Sequence, residues 1–296
     1  MSNAPSAVAF VGLGKMGEPM AARLVNAGWS VVGYDVADAV REHAASVGIR
    51  SAGSLVEAVN GADVVVLMLP DSNAVEHVLS DELLDQVAAG SLLIDMSSSE
   101  PLRTQAIAHR ASARQLRMLD APVSGGVKGA VHGTLTIMVG GPEGDLSDAR
   151  PLLEVLGRVV HAGPVGAGHA VKALNNLMSA THLLVTSEAM LAGERFGLQP
   201  ETLLAIFNTS SGRSGSTENK WPNFILPGTF DSGFGLRLML KDMRIGVELA
   251  EKSGVPCSLG REAVDLWSDA AAELPADADH TEIARWLGSR LGERAG

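Results

Sequence analysis

The sequence has one cysteine, a deficit of cations and no long apolar run, and each shortage excludes a class of protein. Cys257 alone can form neither an internal disulfide nor a cysteine-rich metal site. Lys and Arg total 23 against 34 Asp and Glu, a net charge of −11, which argues against nucleic-acid binding because phosphate affinity depends on clustered cations. The longest core-like run, Val64 to Leu69, is far shorter than the roughly 20 residues that span a bilayer.

Sequence motifs for several kinds of chemistry are missing too. The eight histidines show no HxxxH or other metal spacing, and GxSxG and CxxC are absent, so we expect no bound metal and no acyl transfer. Residues 1–6 contain no basic segment before an apolar run, so we expect no signal peptide. With 46% hydrophobic and 19% charged residues, the sequence predicts a globular, reduced, cytoplasmic protein of about two domains.

Short apolar runs alternate with helical patterns through the first 165 residues. Most of the runs are continuously apolar, which is typical of strands buried on both faces. The candidate strands are Val8–Val11, Val31–Tyr34, Val64–Leu69, Leu92–Asp95, Met118–Leu119, Thr134–Val139 and Val159–His161. The alternation predicts an α/β domain over residues 1–165 with a Rossmann-like, doubly wound, largely parallel sheet.

The pattern changes after Gly163-Pro164. Residues 168–196 read as one helix, roughly 40 Å long at 1.5 Å per residue, which Gly197 ends. Its surface is apolar on several sides, so we expect it to be buried between domains or between subunits. Further helices are predicted at 200–207 and 236–253, with a loop at 209–216. We therefore expect an all-α domain over residues 166–296, joined to the first by the long helix.

A glycine-rich turn follows the first predicted strand and opens a helix. Its residues are Gly12, Leu13, Gly14, Lys15, Met16 and Gly17. Glycines at this spacing let the backbone approach a pyrophosphate at the helix N-terminus. Asp35 ends the second strand, where a carboxylate accepts hydrogen bonds from ribose hydroxyls and repels a 2′-phosphate. The pattern predicts a dinucleotide site that favours NAD over NADP, because no arginine stands next to Asp35.

Two further strand ends are expected to line the cofactor cleft, because ligands of open α/β sheets bind beyond the carboxyl ends of the strands. The residues concerned are Leu69, Pro70, Ser97 and Ser98. The two serines could instead cap the helix that begins near Pro101, and both roles are compatible.

A second glycine-rich turn follows the strand near Asp120. Ser124 offers a hydroxyl, and Gly125 and Gly126 expose consecutive N–H groups, a combination suited to a carboxylate. An ordinary glycine-rich turn has the same composition. Both interpretations of this turn remain open on the sequence alone.

Lys172 and Asn176 interrupt the apolar surface of the long helix. They are four residues apart and therefore share one face. Burial lowers the pKa of a lysine, which would fit Lys172 to exchange a proton with a hydroxyl or carbonyl oxygen, but its ammonium could also extend to solvent. Lys241 and Asp242 could form a local pair of surface charges.

In this order, the four groups of residues resemble the 3-hydroxyisobutyrate dehydrogenase, or β-hydroxyacid dehydrogenase, family over nearly the whole chain. The stretches that carry the resemblance are 10–21, 120–136, 166–176 and 241–243. It implies an NAD-dependent enzyme, with NADP as the other possible cofactor. The enzyme would interconvert a small 3-hydroxyacid, in the first place 3-hydroxyisobutyrate, and its semialdehyde.

The resemblance also implies a role for each motif. Lys172 would be the general acid/base, and Asn176 would orient it or the substrate. Residues 124–126 would hold the substrate carboxylate, and Lys241 would reach the nicotinamide region. The long helix would support a homodimer or homotetramer.

The same motifs occur in relatives that act on tartronate semialdehyde, sulfolactaldehyde, 2-formylglutarate, serine or threonate. The predicted loop Ser210–Trp221 is expected to close over the substrate, and its cations Arg213 and Lys220 could engage a second anionic group. Gly215 stands where many 3-hydroxyisobutyrate dehydrogenases have an aromatic side chain. This departure leaves the branched, apolar substrate open.

Three other possibilities fit the sequence less well. Imine reductases replace the catalytic lysine by Asp or Tyr, whereas this chain has Lys172. Decarboxylating 6-phosphogluconate dehydrogenase has a much longer helical domain than the residues after position 165 can form. A non-catalytic dinucleotide-binding module would be expected to lose the lysine or to gain a basic segment.

Overall fold

The computed structural model describes residues 7–290 and divides into two compact units after Lys172. Every strand within these residues lies in the first unit and belongs to one sheet. The strands are β1 Ala7–Val11, β2 Ser30–Tyr34, β3 Arg50–Ser51, β4 Val64–Leu67, β5 Leu92–Asp95, β6 Arg117–Asp120, β7 Val123–Ser124, β8 Leu135–Gly140 and β9 Gly157–Gly163.

Eight helices lie between these strands, and one long helix begins in the first unit and continues into the second. The eight are α1 Gly17–Asn26, α2 Asp38–Ser46, α3 Leu55–Val59, α4 Ser72–Val78, α5 Asp81–Leu84, α6 Pro101–Ser112, α7 Gly126–His132 and α8 Glu143–Leu156. The long helix is α9, Ala167–Phe196. The second unit adds α10 Pro200–Asn208, a π-helix Ser216–Ile225, α11 Leu236–Lys252, α12 Ser258–Glu273, a 3₁₀ turn His280–Glu282 and α13 Ile283–Ser289.

The sheet has the strand order β3-β2-β1-β4-β5-β6-β8-β7, and β9 pairs with β8. Pairing is parallel from β3 to β6 and between β8 and β9, and antiparallel where β8 meets β6 and β7. The predicted doubly wound, largely parallel sheet is thus confirmed. Strands β3 and β7 were not predicted, because two residues each are too few to show a periodic pattern.

Alternate residues of the central strands point into two separate apolar cores. In β1, Val8 and Phe10 belong to the core on one face, whereas Ala9 and Val11 belong to the core on the other. Helices cover both faces, so neither set of side chains reaches water. This arrangement explains why the strands are continuously apolar in sequence.

The second unit is helical, as predicted, and its core is separate from the cores of the sheet. Trp267 is fully buried there, and α9, α11 and α12 all contribute to the same apolar cluster. The loop predicted over 209–216 is confirmed except at its last residue, because α10 ends at Asn208 and a π-helix begins at Ser216. The longer loop predicted over 210–221 is wrong from Ser216 onward. Burial of Trp221 and Ile225 against the helical core stabilises this π-helix, although most of its sequence is polar.

Part of the apolar surface of α9 is exposed in the single chain. Leu174, Met178 and Val185 follow one helical stripe and are 40%, 60% and 55% exposed. None of the helices described is long and apolar enough to cross a membrane. Residues 7–290 also contain no group of three or more His, Cys, Asp or Glu side chains that could hold a metal ion.

Candidate functional site

The glycine-rich turn between β1 and α1 leaves backbone uncovered by side chains. Gly12 has a φ of +95°, which favours glycine, and its N–H donates to the carbonyl of Tyr34 at 2.8 Å. A side chain at Gly12 would overlap the carbonyl oxygen of Met68, and a side chain at Gly17 would overlap that of Gly12. Gly14 faces open space. The turn therefore has room for a pyrophosphate at the start of α1.

Asp35 lies directly after β2 and bonds to this turn. Its Oδ2 accepts a hydrogen bond from the N–H of Leu13 at 3.0 Å, and Oδ1 accepts one from Ala37 at 3.0 Å. A carboxylate can accept about four hydrogen bonds, so it keeps capacity for ribose hydroxyls. Lys15 is exposed and Met16 half-buried in the same turn. The structure thus brings the predicted cofactor residues of the first two strands together.

An arginine does lie beside Asp35, although none is next to it in sequence. The guanidinium of Arg41 donates to the main-chain carbonyl of Asp35, pairs with Asp38 and lies 5.5 Å from the ring centre of Tyr34. The sequence places no arginine next to Asp35, but α2 brings Arg41 back to the strand end. Asp38 offsets the charge of Arg41 locally.

The ends of β4 and β5 are joined by side-chain hydrogen bonds. The N–H of Leu69 donates to Ser97 Oγ at 2.9 Å, and the N–H of Ser97 donates to Asp95 Oδ1 at 2.9 Å. Ser97 is fully buried, whereas Ser98 is half-buried and Pro70 is exposed. The predicted cleft residues therefore occupy two adjacent strand ends.

These strand ends differ from the prediction in two respects. Strand β4 ends at Leu67 instead of Leu69, because the Leu69 N–H turns to the Ser97 hydroxyl. The proposed capping role of Ser97 and Ser98 is wrong, because the residue that precedes α6 is Glu100.

The second glycine-rich turn has a backbone that only glycine adopts readily. Gly125 and Gly126 have φ of +130° and +61°, and a side chain at Gly125 would come within 3.3 Å of Leu135. Ser124, half-buried, ends β7 immediately before them. One hydroxyl and two consecutive N–H groups are therefore grouped in a single turn.

A buried carboxylate holds the first turn of α9, a feature that the sequence analysis missed. Asp120 Oδ1 accepts from the N–H of Gly166 at 2.6 Å, and Oδ2 accepts from the N–H of His169 at 2.8 Å. A side chain at Gly168 would overlap the carbonyl oxygen of Met138, so β8 and the helix are in direct contact. Asp120 satisfies N–H groups that a helix start otherwise leaves unpaired.

The ring of His169 extends this network to the end of β5. Its Nδ1 lies 2.9 Å from Thr104 Oγ1, and its Nε2 donates to the carbonyl of Ser97 at 3.1 Å. Asp95 and Asp120 flank the ring, each 3.8 Å away. The sequence offered one signal, which is that Asp95 and Asp120 each stand at the end of an apolar run. The structure adds that the two residues are register partners.

Lys172 and Asn176 lie one turn apart on α9 and are 8% and 5% exposed. The alternative in which Lys172 extends to solvent is therefore wrong. In the second unit, the amide nitrogen of Asn176 donates to Asp242 Oδ2 at 2.6 Å. This bond fixes the amide orientation, so that the amide oxygen of Asn176 faces away from the carboxylate.

The interpretation of Lys241 and Asp242 as a surface pair is wrong for the acid. Asp242 is 2% exposed, because α11 packs this face against α9. Lys241 Nζ lies 3.3 Å from Asp242 Oδ1, and the Lys241 side chain is 26% exposed. Asp242 thus contacts Asn176 on α9 and Lys241 on its own helix. The spacing of these residues in the sequence gave no sign of either contact.

The two cations of the predicted loop have different surroundings. Arg213 is exposed and forms an ion pair with Glu218, with Nε 2.7 Å from Oε1. Lys220 lies on the π-helix and donates to Ser179 Oγ at 2.8 Å. Burial lowers the pKa of Lys220 to about 8, and the charge of Asp279 offsets only part of this effect.

Two protein-family models together match nearly the whole chain. The model for the NAD binding domain of 6-phosphogluconate dehydrogenase matches residues 7–166. The model for the NAD-binding region of NADP-dependent 3-hydroxyisobutyrate dehydrogenase matches residues 166–287. Both models describe dinucleotide-binding proteins.

Full-length relatives show the same similarity. An NAD-dependent L-serine dehydrogenase of Pseudomonas aeruginosa is 38% identical over 295 residues, which cover 97% of this chain and 99% of the relative. A 2-(hydroxymethyl)glutarate dehydrogenase of Eubacterium barkeri is 36% identical over 90% of this chain and 89% of its own. The solved 3-hydroxyisobutyrate dehydrogenase of Mycobacterium tuberculosis with L-serine is 35% identical, with a TM-score of 0.91 over 96% of this chain and 99% of that one.

The glycine turn generates a prediction that separates folding from cofactor binding. Gly17→Ala should lower Tm by several degrees, because its side chain overlaps the Gly12 carbonyl and overpacking costs about 1–3 kcal/mol. Gly14→Ala should leave Tm unchanged but weaken NAD binding, because its side chain enters only the open space. Thermal melts with and without NAD check both variants. Equal Tm values for the two variants would contradict this assignment.

A second prediction concerns the Asn176–Asp242 hydrogen bond. Asp242→Leu should lower kcat about 10- to 100-fold, because a buried amide that loses its acceptor is no longer held in one orientation. Asp242→Asn keeps an acceptor oxygen and should recover most of the loss. Steady-state kinetics on both variants, with melting curves to verify folding, make the comparison. A purely structural role would lower Tm in Asp242→Leu and leave kcat intact.

Proposed function

The chain belongs to the 3-hydroxyisobutyrate dehydrogenase family of β-hydroxyacid dehydrogenases, and from that membership we propose that it interconverts a small 3-hydroxyacid and its semialdehyde. 3-Hydroxyisobutyrate is the first candidate substrate. The observation that carries the proposal is the buried Lys172, one helical turn before Asn176, whose amide Asp242 holds.

NAD(P) is the cofactor, and the residues of the first unit fit it. Residues 12–17 would hold the pyrophosphate, and Asp35 would hold the ribose hydroxyls. Leu69, Pro70, Ser97 and Ser98 would line the cleft beyond the strand ends, and Lys241 would serve the nicotinamide region. Bound NAD(P) supplies the two-electron oxidation of the carbinol to a carbonyl.

The protein groups position the substrate and move one proton. Ser124 and the amides of Gly125 and Gly126 would hold the carboxylate, which fixes the orientation of the carbinol carbon. Lys172 Nζ would accept the hydroxyl proton during oxidation and return it to the carbonyl oxygen during reduction. The fixed amide of Asn176 would orient Lys172 or the reacting oxygen.

We also propose a cytoplasmic homodimer or homotetramer, with neither nucleic acid nor membrane as a partner. The exposed apolar stripe at Leu174, Met178 and Val185 supports self-association, because such a stripe is otherwise left in water. The net charge of −11 supports the absence of a nucleic-acid partner.

The second candidate function is reduction of a related semialdehyde of the tartronate, sulfolactaldehyde or 2-formylglutarate type. Gly215 in place of an aromatic side chain and the inward-facing Lys220 favour a more polar substrate. The remote alternative is a dinucleotide-binding module without catalysis. Binding of NADH with no turnover of any hydroxyacid or semialdehyde would support the module.

The central test is the loss of turnover in Lys172→Met. We expect kcat to fall by about 10²–10⁴-fold, because general acid/base catalysis contributes that much, while the NADH dissociation constant changes less than about twofold. Initial rates of NADH formation with 3-hydroxyisobutyrate, serine, glycerate, threonate and 2-(hydroxymethyl)glutarate give the readout. Lys252→Met, a change to an exposed lysine paired with Glu248, is the matched control. Undiminished turnover in Lys172→Met would refute the assignment.

Cofactor preference rests on Asp35. Asp35→Ser should lower kcat/KM with NAD about 10- to 100-fold and raise kcat/KM with NADP, because the carboxylate that binds ribose and repels a phosphate is gone. Arg41 beside the same strand end would then face a 2′-phosphate. Glu42→Ser, at an exposed position on α2, is the control. An unchanged NAD/NADP ratio in Asp35→Ser would show that the carboxylate does not select the cofactor.

A further inference from the structure

His169 is a polar side chain in the interior of the first unit, three residues before Lys172 on α9. The imidazole is 0% exposed, and burial of a polar ring is costly unless its nitrogens have partners. Nε2 donates to the carbonyl of Ser97 at 3.1 Å, and Nδ1 lies 2.9 Å from Thr104 Oγ1. Because both nitrogens are satisfied in the interior, their hydrogen bonds specify one arrangement of the helix against its neighbours.

The ring resists a motion that the main-chain bonds of α9 resist only weakly. Asp120 accepts hydrogen bonds from the N–H groups of Gly166 and His169, at 2.6 and 2.8 Å. Main-chain N–H groups of a helix lie roughly parallel to its axis, so the bond to the His169 N–H opposes sliding of the helix more than rotation about its axis. The ring bonds run outward from the helix to the end of β5 and to α6, so rotation would break both of them.

Rotation of α9 would also displace Lys172. His169 and Lys172 are three residues apart, so they share one face of the helix, with Cβ atoms about 5–6 Å apart. A helix with its side chains has a radius of about 5–6 Å, so a rotation of about 10° moves a group at its surface by about 1 Å. A misplacement of about 1 Å can lower the rate of a reaction about 100-fold. The hydrogen bonds of the imidazole thus oppose a displacement to which the proposed proton transfer is sensitive.

We propose that His169 is a positioning residue for Lys172, because its two ring hydrogen bonds set the rotation of α9 about its axis and with it the direction of the Lys172 amine. This inference rests on the proposed function, in which Lys172 Nζ exchanges a proton with the substrate. The hydroxyl of Ser97, whose carbonyl binds the ring, accepts from the N–H of Leu69. The groups that accept the proton and the hydride would thus be located against the same two strand ends.

The test measures kcat and KM in the full-length protein, with NAD and the hydroxyacid of the panel above that the wild type oxidises fastest. His169→Leu removes both ring bonds and should lower kcat about 10- to 100-fold, with KM for the hydroxyacid changed less than about threefold. His169→Gln places an amide nitrogen about as far from the backbone as Nε2, so the bond to Ser97 is kept and most of kcat should return. Thr104→Val removes one ring partner and should lower kcat about 2- to 10-fold.

Titration with NADH separates the position of the amine from folding of the first unit. In His169→Leu, the number of NADH sites per chain should equal that of the wild type, and the NADH dissociation constant should change less than about threefold, because the glycine-rich turn and Asp35 are intact. A fall in kcat with a full set of NADH sites then reports on the reaction step. His77→Leu, at an exposed position on α4, is the matched control and should leave kcat unchanged.

Contrary outcomes are distinct for the two proposals. Undiminished kcat in His169→Leu, or equally low kcat in His169→Leu and His169→Gln, would overturn the role of the ring hydrogen bonds and leave the dehydrogenase function intact. A fall in kcat matched by an equal loss of NADH sites would indicate a merely structural histidine and would also overturn it. Absence of turnover of every hydroxyacid by the wild type, with NADH still bound, would refute the proposed function itself and the inference with it.

Discussion

The hydrogen bonds from Gly166 and His169 to the buried carboxylate of Asp120 are the interaction on which the geometry of the proposed site in the first unit depends. They fix the start of α9 to the end of β6, and Lys172 lies one turn further along the same helix. A buried carboxylate requires such donors, and a helix start requires such an acceptor. Each group therefore stabilises the other, and the position of Lys172 relative to the sheet follows.

The same network reaches the ends of β4 and β5 through the imidazole of His169. His169 donates to the carbonyl of Ser97, and the hydroxyl of Ser97 accepts from Leu69 at the neighbouring strand end. A displacement of the helix start would therefore also disturb the backbone at both strand ends. The start of α9 and the ends of β4, β5 and β6 therefore form one hydrogen-bonded assembly within the first unit. The apolar cores on the two faces of the sheet support this assembly.

The fold was largely predictable because its signals are local. Continuous apolar runs identified the longer strands, and the glycines at 12, 14 and 17 identified the first turn from spacing alone. The π-helix at Ser216–Ile225 was not predictable, because its stability comes from the burial of Trp221 and not from its polar sequence. Arg41, Asp242 and Asp120 acquire their roles from partners that the fold brings near. Charge and periodicity carry no information about such pairs. The sequence therefore predicted the candidate site residues but not the buried side chains that hold them in place.

The central position of β1 in the sheet has a consequence for how the chain acquires its structure during synthesis. Strand β1 pairs with β2 on one side and with β4 on the other, and Val8 is aligned with Val64. Strand β1 therefore remains half-paired, with one edge open, until β4 has emerged from the ribosome. Parallel pairings over such sequence separations form slowly. Until β4 is in place, nascent chains could associate through that open edge of β1.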